Sequence, residues 1–134
     1  MLQSTQPQGE LAIRTIAMPA DTNPSGHIFG GWVVSQMDLA GGLISRKFTN
    51  QNVVTVAIEA MEFVAPIYVG DFVCCYADMI KTGRTSIHLN IQTWALTPPN
   101  EQRRLVTHGI FVYVAVDKLF KPTAIDVNDG QSKK

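Results

Sequence analysis

Residues 27–44, HIFGGWVVSQMDLAGGLI, constrain the fold more than any other part of the chain. Their apolar members Phe29, Trp32, Val33, Met37, Ala40 and Ile44 recur at steps of three and four. That is the period of a helix carrying one wide apolar stripe. The spacing predicts a helix over 29–47, roughly 28 Å long at 1.5 Å per residue. No other segment has a comparable helical period. Asp38 falls in its middle, a poor helix residue because its short side chain competes for backbone hydrogen bonds. Gly30 and Gly31 fall at its start, where N–H groups have no partner inside the helix.

The other segments read as strands. Residues 10–18 contain the β-favouring Ile13, Thr15 and Ile16 and stop at Pro19. Residues 21–26, DTNPSG, are turn chemistry throughout. The run 53–64 is apolar on both faces of a period-two reading, which predicts a central strand. Residues 72–80 and 85–97 are joined by the tight turn Lys81-Thr82-Gly83-Arg84, and 103–117 form the last long strand. A short strand, one helix and four long strands in hairpin order must bury the helical stripe on one sheet face. The fold class is α+β: a long antiparallel β-sheet wrapped around one central α-helix. It occupies a single domain over residues 9–122, with loose polar ends at 1–8 and 123–134.

Composition narrows the function. Of the 134 residues only 16% are charged, low for a monomer's surface, so part of that surface is expected to be covered in a homo-oligomer. Eleven basic against eleven acidic side chains argue against a partner in nucleic acid or a membrane surface. No apolar run reaches the length of a membrane span, and the first ten residues lack a signal-peptide core, which points to the cytoplasm. Cys74 and Cys75 are adjacent and would face opposite sides of a strand. They can neither chelate one metal nor easily bridge each other, and read as small apolar residues in a reducing compartment. His27, His88 and His108 are too far apart to suggest a metal set by spacing.

The chain has no G-x-S-x-G elbow and no HExxH. Asp38 can serve as the base that activates a water, or as a carboxylate that hydrogen-bonds a neighbouring loop. Gly30 and Gly31 can offer N–H groups to an oxyanion at the positive end of the helix, or can simply permit a tight turn. The Asn23 amide can hold substrate or water, or cap a turn before Pro24. Lys81, Thr82, Gly83, Arg84, Thr85 and Ser86 form a basic, hydroxyl-bearing turn that can grip phosphates or remain a solvated hairpin. Arg103 and Arg104 are weaker candidates of the same kind. Glu59 and Glu62 read as pairing across an interface and not as catalysts. Gly31 and Asp38, seven residues apart, share a helix face but lie roughly 10.5 Å apart along the axis. A donor and a base acting on one carbon must each come within about 3 Å of their targets. Two antiparallel helices of a two-fold dimer can arrange that where one helix cannot.

The strings DTNPSGHIFGGWVVSQMD, VVTVAIEAMEFVAPIYVGD and KTGRTS resemble the hotdog-fold acyl-CoA thioesterases, most nearly the small bacterial YciA type. The resemblance covers about residues 10–120, with no departure at the motif positions. The Asn23…Gly26…Gly30-Gly31…Asp38 spacing is its specific part, whereas Phe63…Pro66…Gly70-Asp71 is common to many hotdog proteins. The resemblance implies hydrolysis of acyl-CoA to a free carboxylic acid and CoA. It favours Asp38, Asn23, Gly30 and Gly31 as catalytic residues and Lys81, Gly83, Arg84, Thr85 and Ser86 as the CoA grip. It implies no cofactor beyond the CoA of the substrate, and an assembly of hotdog dimers, often a trimer of dimers. It leaves the acyl chain open. A hotdog dehydratase would need a His with a carboxylate, and the helix carries Asp38 but no His. A non-catalytic acyl-CoA sensor would be expected to lack the mid-helix acid or to carry a DNA-binding domain.

Overall fold

A lone amphipathic helix needs a surface on which to bury its stripe, and the strands supply one. The computed structural model describes residues 6–127. The chain runs β1 (Glu10–Ile16), a 3-10 turn (Pro19–Asp21), α1 (Gly30–Thr49), β2 (Asn52–Phe63), β3 (Phe72–Thr82), β4 (Ser86–Leu96) and β5 (Arg104–Val116). The five strands form one antiparallel sheet in the order β1-β3-β4-β5-β2. The helix buries Val33, Met37, Ala40, Gly41, Ser45 and Thr49. Its apolar members meet Val73, Cys75, Leu89, Ile91, Phe111 and Tyr113 in one core. Met37 is wholly buried, and burying a side chain of that size contributes about 1.5–3 kcal/mol.

The helix runs two residues past its expected end. The Thr49 hydroxyl turns back to the Ser45 carbonyl at 3.0 Å, and the stop is the left-handed Asn50, at φ 57°. Arg46 and Lys47 in the last turn complement the dipole.

The strand expected to be central is an edge strand. β2 pairs only with β5 among the described residues, and Val54, Val56 and Ile58 are exposed. Its two-sided apolarity therefore does not record burial within the chain. Register shifts between Thr55 and Ala57 and between Glu59 and Glu62 also break the period-two pattern, with Ala60 at φ 54°. Thr55 and Phe63 both end on the helix side, one beside Asp38 and the other against Gly30.

The ends assigned to loose tails fall partly outside the described residues. Gln8 donates its N–H to Gln92 Oε1 at 3.0 Å. Residues 123–127, read as tail from their polarity, are in part tied down. Thr123 and Ile125 donate to the Ala115 and Arg84 carbonyls, each at 2.9 Å, and Gln51 bonds both Ala124 and Asp126. The cysteines face opposite sides as expected: Cys75 is buried in the core and Cys74 is half-buried. Burial pushes the Cys75 thiol up to about 11, partly offset by its contact with Thr93.

The 64–71 connection is held by an ion pair between a buried carboxylate and a half-buried guanidinium. Asp71 is wholly buried; it accepts from Arg104 at 2.5 Å, from the Thr97 hydroxyl at 2.7 Å and from the Tyr68 N–H at 2.9 Å. Arg104 also donates twice to the Pro66 carbonyl, and its guanidinium lies 5.3 Å from the Tyr68 ring centre. Arg104→Met would leave the Asp71 carboxylate buried without its counter-charge. Removing one partner of such a pair costs about 3–5 kcal/mol, so urea unfolding should show a loss of that size. A loss below about 1 kcal/mol, as for an exposed pair, would show that the pair contributes little.

Candidate active site

Asp38 lies on the flank of α1, between the wholly buried Met37 and Leu39, which is 58% exposed. Its carboxylate is not free to turn. Thr55 on β2 donates its hydroxyl to Oδ1 at 2.6 Å, and Tyr113 on β5 donates to the same oxygen at 2.9 Å. Both partners are strand hydroxyls and neither belongs to a loop. Oδ2 accepts no bond among the described residues. Burial and the adjacent Asp38 charge push the Tyr113 phenol well above its ordinary range, so it stays a donor at working pH.

Asn23 does the turn work open to it. Its Oδ1 accepts from the Ser25 N–H at 2.9 Å and from the His27 N–H at 3.1 Å. Gly26, at φ 84°, closes the bend by donating to the Asn23 carbonyl at 2.9 Å. With Oδ1 occupied, Nδ2 is the part of the amide left to donate outward. The loop is anchored to the 64–71 connection: Ile28 donates its N–H to the Ile67 carbonyl at 3.2 Å, and the His27 ring meets Tyr68 edge-on at 5.5 Å.

Gly30 and Gly31 open the helix. The N-cap Phe29 places no side-chain bond on the first turn, and no described acceptor takes either glycine N–H. The Phe63 ring lies over this helix end, at ordinary contact distance (3.4 Å) from where a Cβ on Gly30 would stand. Asn23, Gly30 and Gly31 thus belong to one end of the helix. Asp38 lies eight residues beyond Gly30, roughly 12 Å along the axis, and one chain does not bring it to them.

Residues 81–86 share an end of the sheet with Asp38. Ser86 stands opposite Val114, next to the row that pairs Ile87, Tyr113 and Thr55. Gly83 donates its N–H to the Ser86 carbonyl at 2.8 Å, and a Cβ there would meet the Ser86 hydroxyl at 2.7 Å. The Arg84 and Thr85 carbonyls accept from Ile125 and Ala115, so the turn is backed by β5 and by the segment that follows it. Lys81 and Arg84 are exposed, and neither pairs with a carboxylate among the described residues.

Two weaker candidates lie away from the turn. Arg104 is committed to Asp71 and stands opposite Ala95, at the far end of the sheet from Ser86, so it is no partner for the turn. Arg103 leans on the Tyr76 hydroxyl at 3.4 Å, also away from the turn. Glu62 lies 3.4 Å from His108 Nε2 of the same chain. Sequence reasoning missed Thr55, Tyr113 and Gly41. A Cβ on Gly41 would fall 2.0 Å from the Tyr113 hydroxyl, so only glycine admits the phenol to the helix. The one signal was a glycine pair, Gly41-Gly42, inside a helical period. Among the described residues, no three His, Cys, Asp or Glu side chains are placed to hold a metal ion. No helix among them is long and apolar enough to cross a membrane.

Comparisons with known proteins agree with this fold. The thioesterase superfamily profile matches residues 25–100. The acyl-CoA thioester hydrolase YciA of Salmonella typhimurium is 50% identical over 124 residues, which are 90% of this chain and 93% of that one. The crystal structure of the hexameric thioesterase y2039 from Yersinia pestis superposes with a TM-score of 0.86 at 49% identity, covering 90% of this chain and 98% of that one. That of HI0827, a hexameric broad-specificity acyl-coenzyme A thioesterase, gives 0.86 at 43% identity, covering 96% and 88%. Sequence identity of this extent and a shared helix-wrapping sheet place the chain in the thioesterase superfamily, among the hotdog-fold acyl-CoA thioester hydrolases of the YciA type.

Proposed function

We propose that the chain hydrolyses acyl-CoA to a free carboxylic acid and CoA, by water attack assisted by Asp38 in a site shared between two subunits. The observation that carries this reading is the Asp38 carboxylate, held through Oδ1 with Oδ2 left open. Oδ2 takes a proton from the attacking water as its oxygen bonds the thioester carbonyl carbon. The oxyanion that forms is received by the Gly30 and Gly31 N–H groups and by Asn23 Nδ2, aided by the helix dipole. As the carbon–sulfur bond breaks, the proton on Asp38 passes to the departing thiolate, and acid and CoA thiol leave. Lys81, Gly83, Arg84, Thr85 and Ser86 hold the CoA phosphates, the cations through charge and the turn through its hydroxyls and backbone. The relatives' broad specificity and YciA activity support the substrate class.

The sharing of the site follows from the separation of Asp38 and Gly30–31 along one helix. The uncovered β2 edge and the adjoining Leu39 and Leu43, 58% and 54% exposed, offer the surface for a second copy. A two-fold axis there runs the two helices antiparallel and sets Asp38 of one chain near the glycines of the other. Hexameric relatives favour three such dimers per assembly. Free Cys74 and Cys75 suit a cytoplasmic setting.

Thiol release from a panel of acyl-CoAs tests the activity: turnover of several is expected, whereas tight binding without release would mean a sensor. Asp38→Asn should keep fold and assembly while kcat falls by about 10²–10⁴-fold, the usual worth of a general base; near-normal kcat would make Asp38 structural. Mixing Asn23→Ala with Asp38→Asn subunits should restore partial activity once subunits exchange, because one site then draws each residue from the competent parent. Demonstrated exchange without any return would rule out action across the interface. Arg84→Ala should raise KM with little change in kcat, since a phosphate grip acts alike on substrate and transition state. An unchanged KM would return residues 81–86 to a solvated hairpin.

A further inference from the structure

Two hydroxyls hold Asp38, and the second comes from the floor of the core. Tyr113 is 1% exposed and stands directly across the β2–β5 ladder from Thr55. Its hydroxyl lies 2.9 Å from Asp38 Oδ1 and 3.0 Å from the Asp38 carbonyl oxygen. A phenol has one proton to give, so this donor spans backbone and carboxylate of the same residue and fixes one against the other. The helix makes way for it at Gly41, where a Cβ would fall 2.0 Å from the phenol oxygen. Glycine is a poor residue for a helix interior, and here it is the one that lets the hydroxyl reach Asp38.

We infer that Tyr113 is a positioning residue for the proposed base: by holding Oδ1 against the helix it turns Oδ2 outward, and Oδ2 is the oxygen that takes the proton from water. The inference rests on the reading of Asp38 as base. The phenol is not itself a rival base. Burial first, and then the charge and hydrogen bond of Asp38, keep it protonated far above the pH at which a hydrolase works. It is a fixed donor to a partner that changes charge during the reaction. Thr55, on an edge strand, holds the same oxygen from the exposed side, so the buried hydroxyl is the one that ties the carboxylate to the rigid part of the fold.

Tyr113→Phe keeps the ring in the core and removes only the hydroxyl. The Asp38 carbonyl keeps its place in the helix ladder, so no buried group loses its last partner. Assayed in the assembled enzyme, the variant should lose about ten- to a hundredfold in kcat, the size expected for a hydrogen bond to a charged group. KM should hardly move, and the variant should stay folded and assembled, with thermal unfolding lowered by no more than the loss of one hydrogen bond. The decisive measurement is the cycle with Asp38→Asn. If Tyr113 acts through Asp38, adding Tyr113→Phe to Asp38→Asn should cost no further activity. A normal kcat for Tyr113→Phe, or the same fold-loss in both backgrounds, would overturn the inference. Asp38→Asn alone reports on the base, so failure of that reading is seen separately.

Discussion

The position of one residue on the helix circumference governs the rest of the structure. Successive helical residues are about 100° apart, and residues 37–39 step from wholly buried Met37, through half-buried Asp38, to Leu39 at 58% exposure. The sheet is wide enough to cover the stripe through Met37 and stops at β2, beside Asp38. A carboxylate deeper in the core would need a counter-charge, as Asp71 does with Arg104. One further round would be solvated and free to rotate. At the border it gains fixed donors from the sheet on one side and access to a substrate on the other.

The helix and most strand boundaries were legible because they depend on local periods and on Pro, Gly and Asn punctuation. The place of β2 in the sheet was not. A sequence shows that both faces of a strand are apolar, but burial by the same chain and burial by another copy select the same residues. Its register was hidden too: Ala57 follows Thr55 across a bulge, so the face that bears Thr55 could not be extended by counting in twos. Residues 123–127 were misread for the converse reason. Their polar side chains say nothing of backbone bonds such as those of Thr123 and Ile125.

Of the residues proposed for the site, Asp38, Gly30 and Gly31 stand out in the sequence because an acid inside a helix and glycines at its start break local rules, whereas Asn23 stands out only through the family resemblance. The partners that hold Asp38 do not stand out, since Thr55 is 17 residues away and Tyr113 is 75. Each is an ordinary strand residue, and only the fold brings them to one oxygen. The cations show the same limit. Arg84 and Arg104 are chemically equal in a sequence, but Arg104 has Asp71, Thr97 and Pro66 around it, whereas Arg84 has no carboxylate partner among the described residues.

The two halves of the proposed site are held by separate parts of the chain. Asn23 and the helix start are fixed through Ile67 and Tyr68 to the Asp71–Arg104 pair, at one end of the sheet. Asp38 is fixed through Thr55 and Tyr113 at the other. Nothing inside one chain sets the distance between a base and the donors of a second chain. In a shared site that distance is set by the register of the interface. A flat apolar edge would accept several registers, because strand pairing is indifferent to a slip of two residues. β2 is not flat: bulges flank Ala57, Ile58 and Glu59, and Ala60 takes a left-handed conformation. Such irregularities limit the straight edge to a few residues, so that a partner strand fits in few ways. On this argument the bulges that obscured β2 in the sequence are what would let two copies meet with the accuracy that thioester hydrolysis requires.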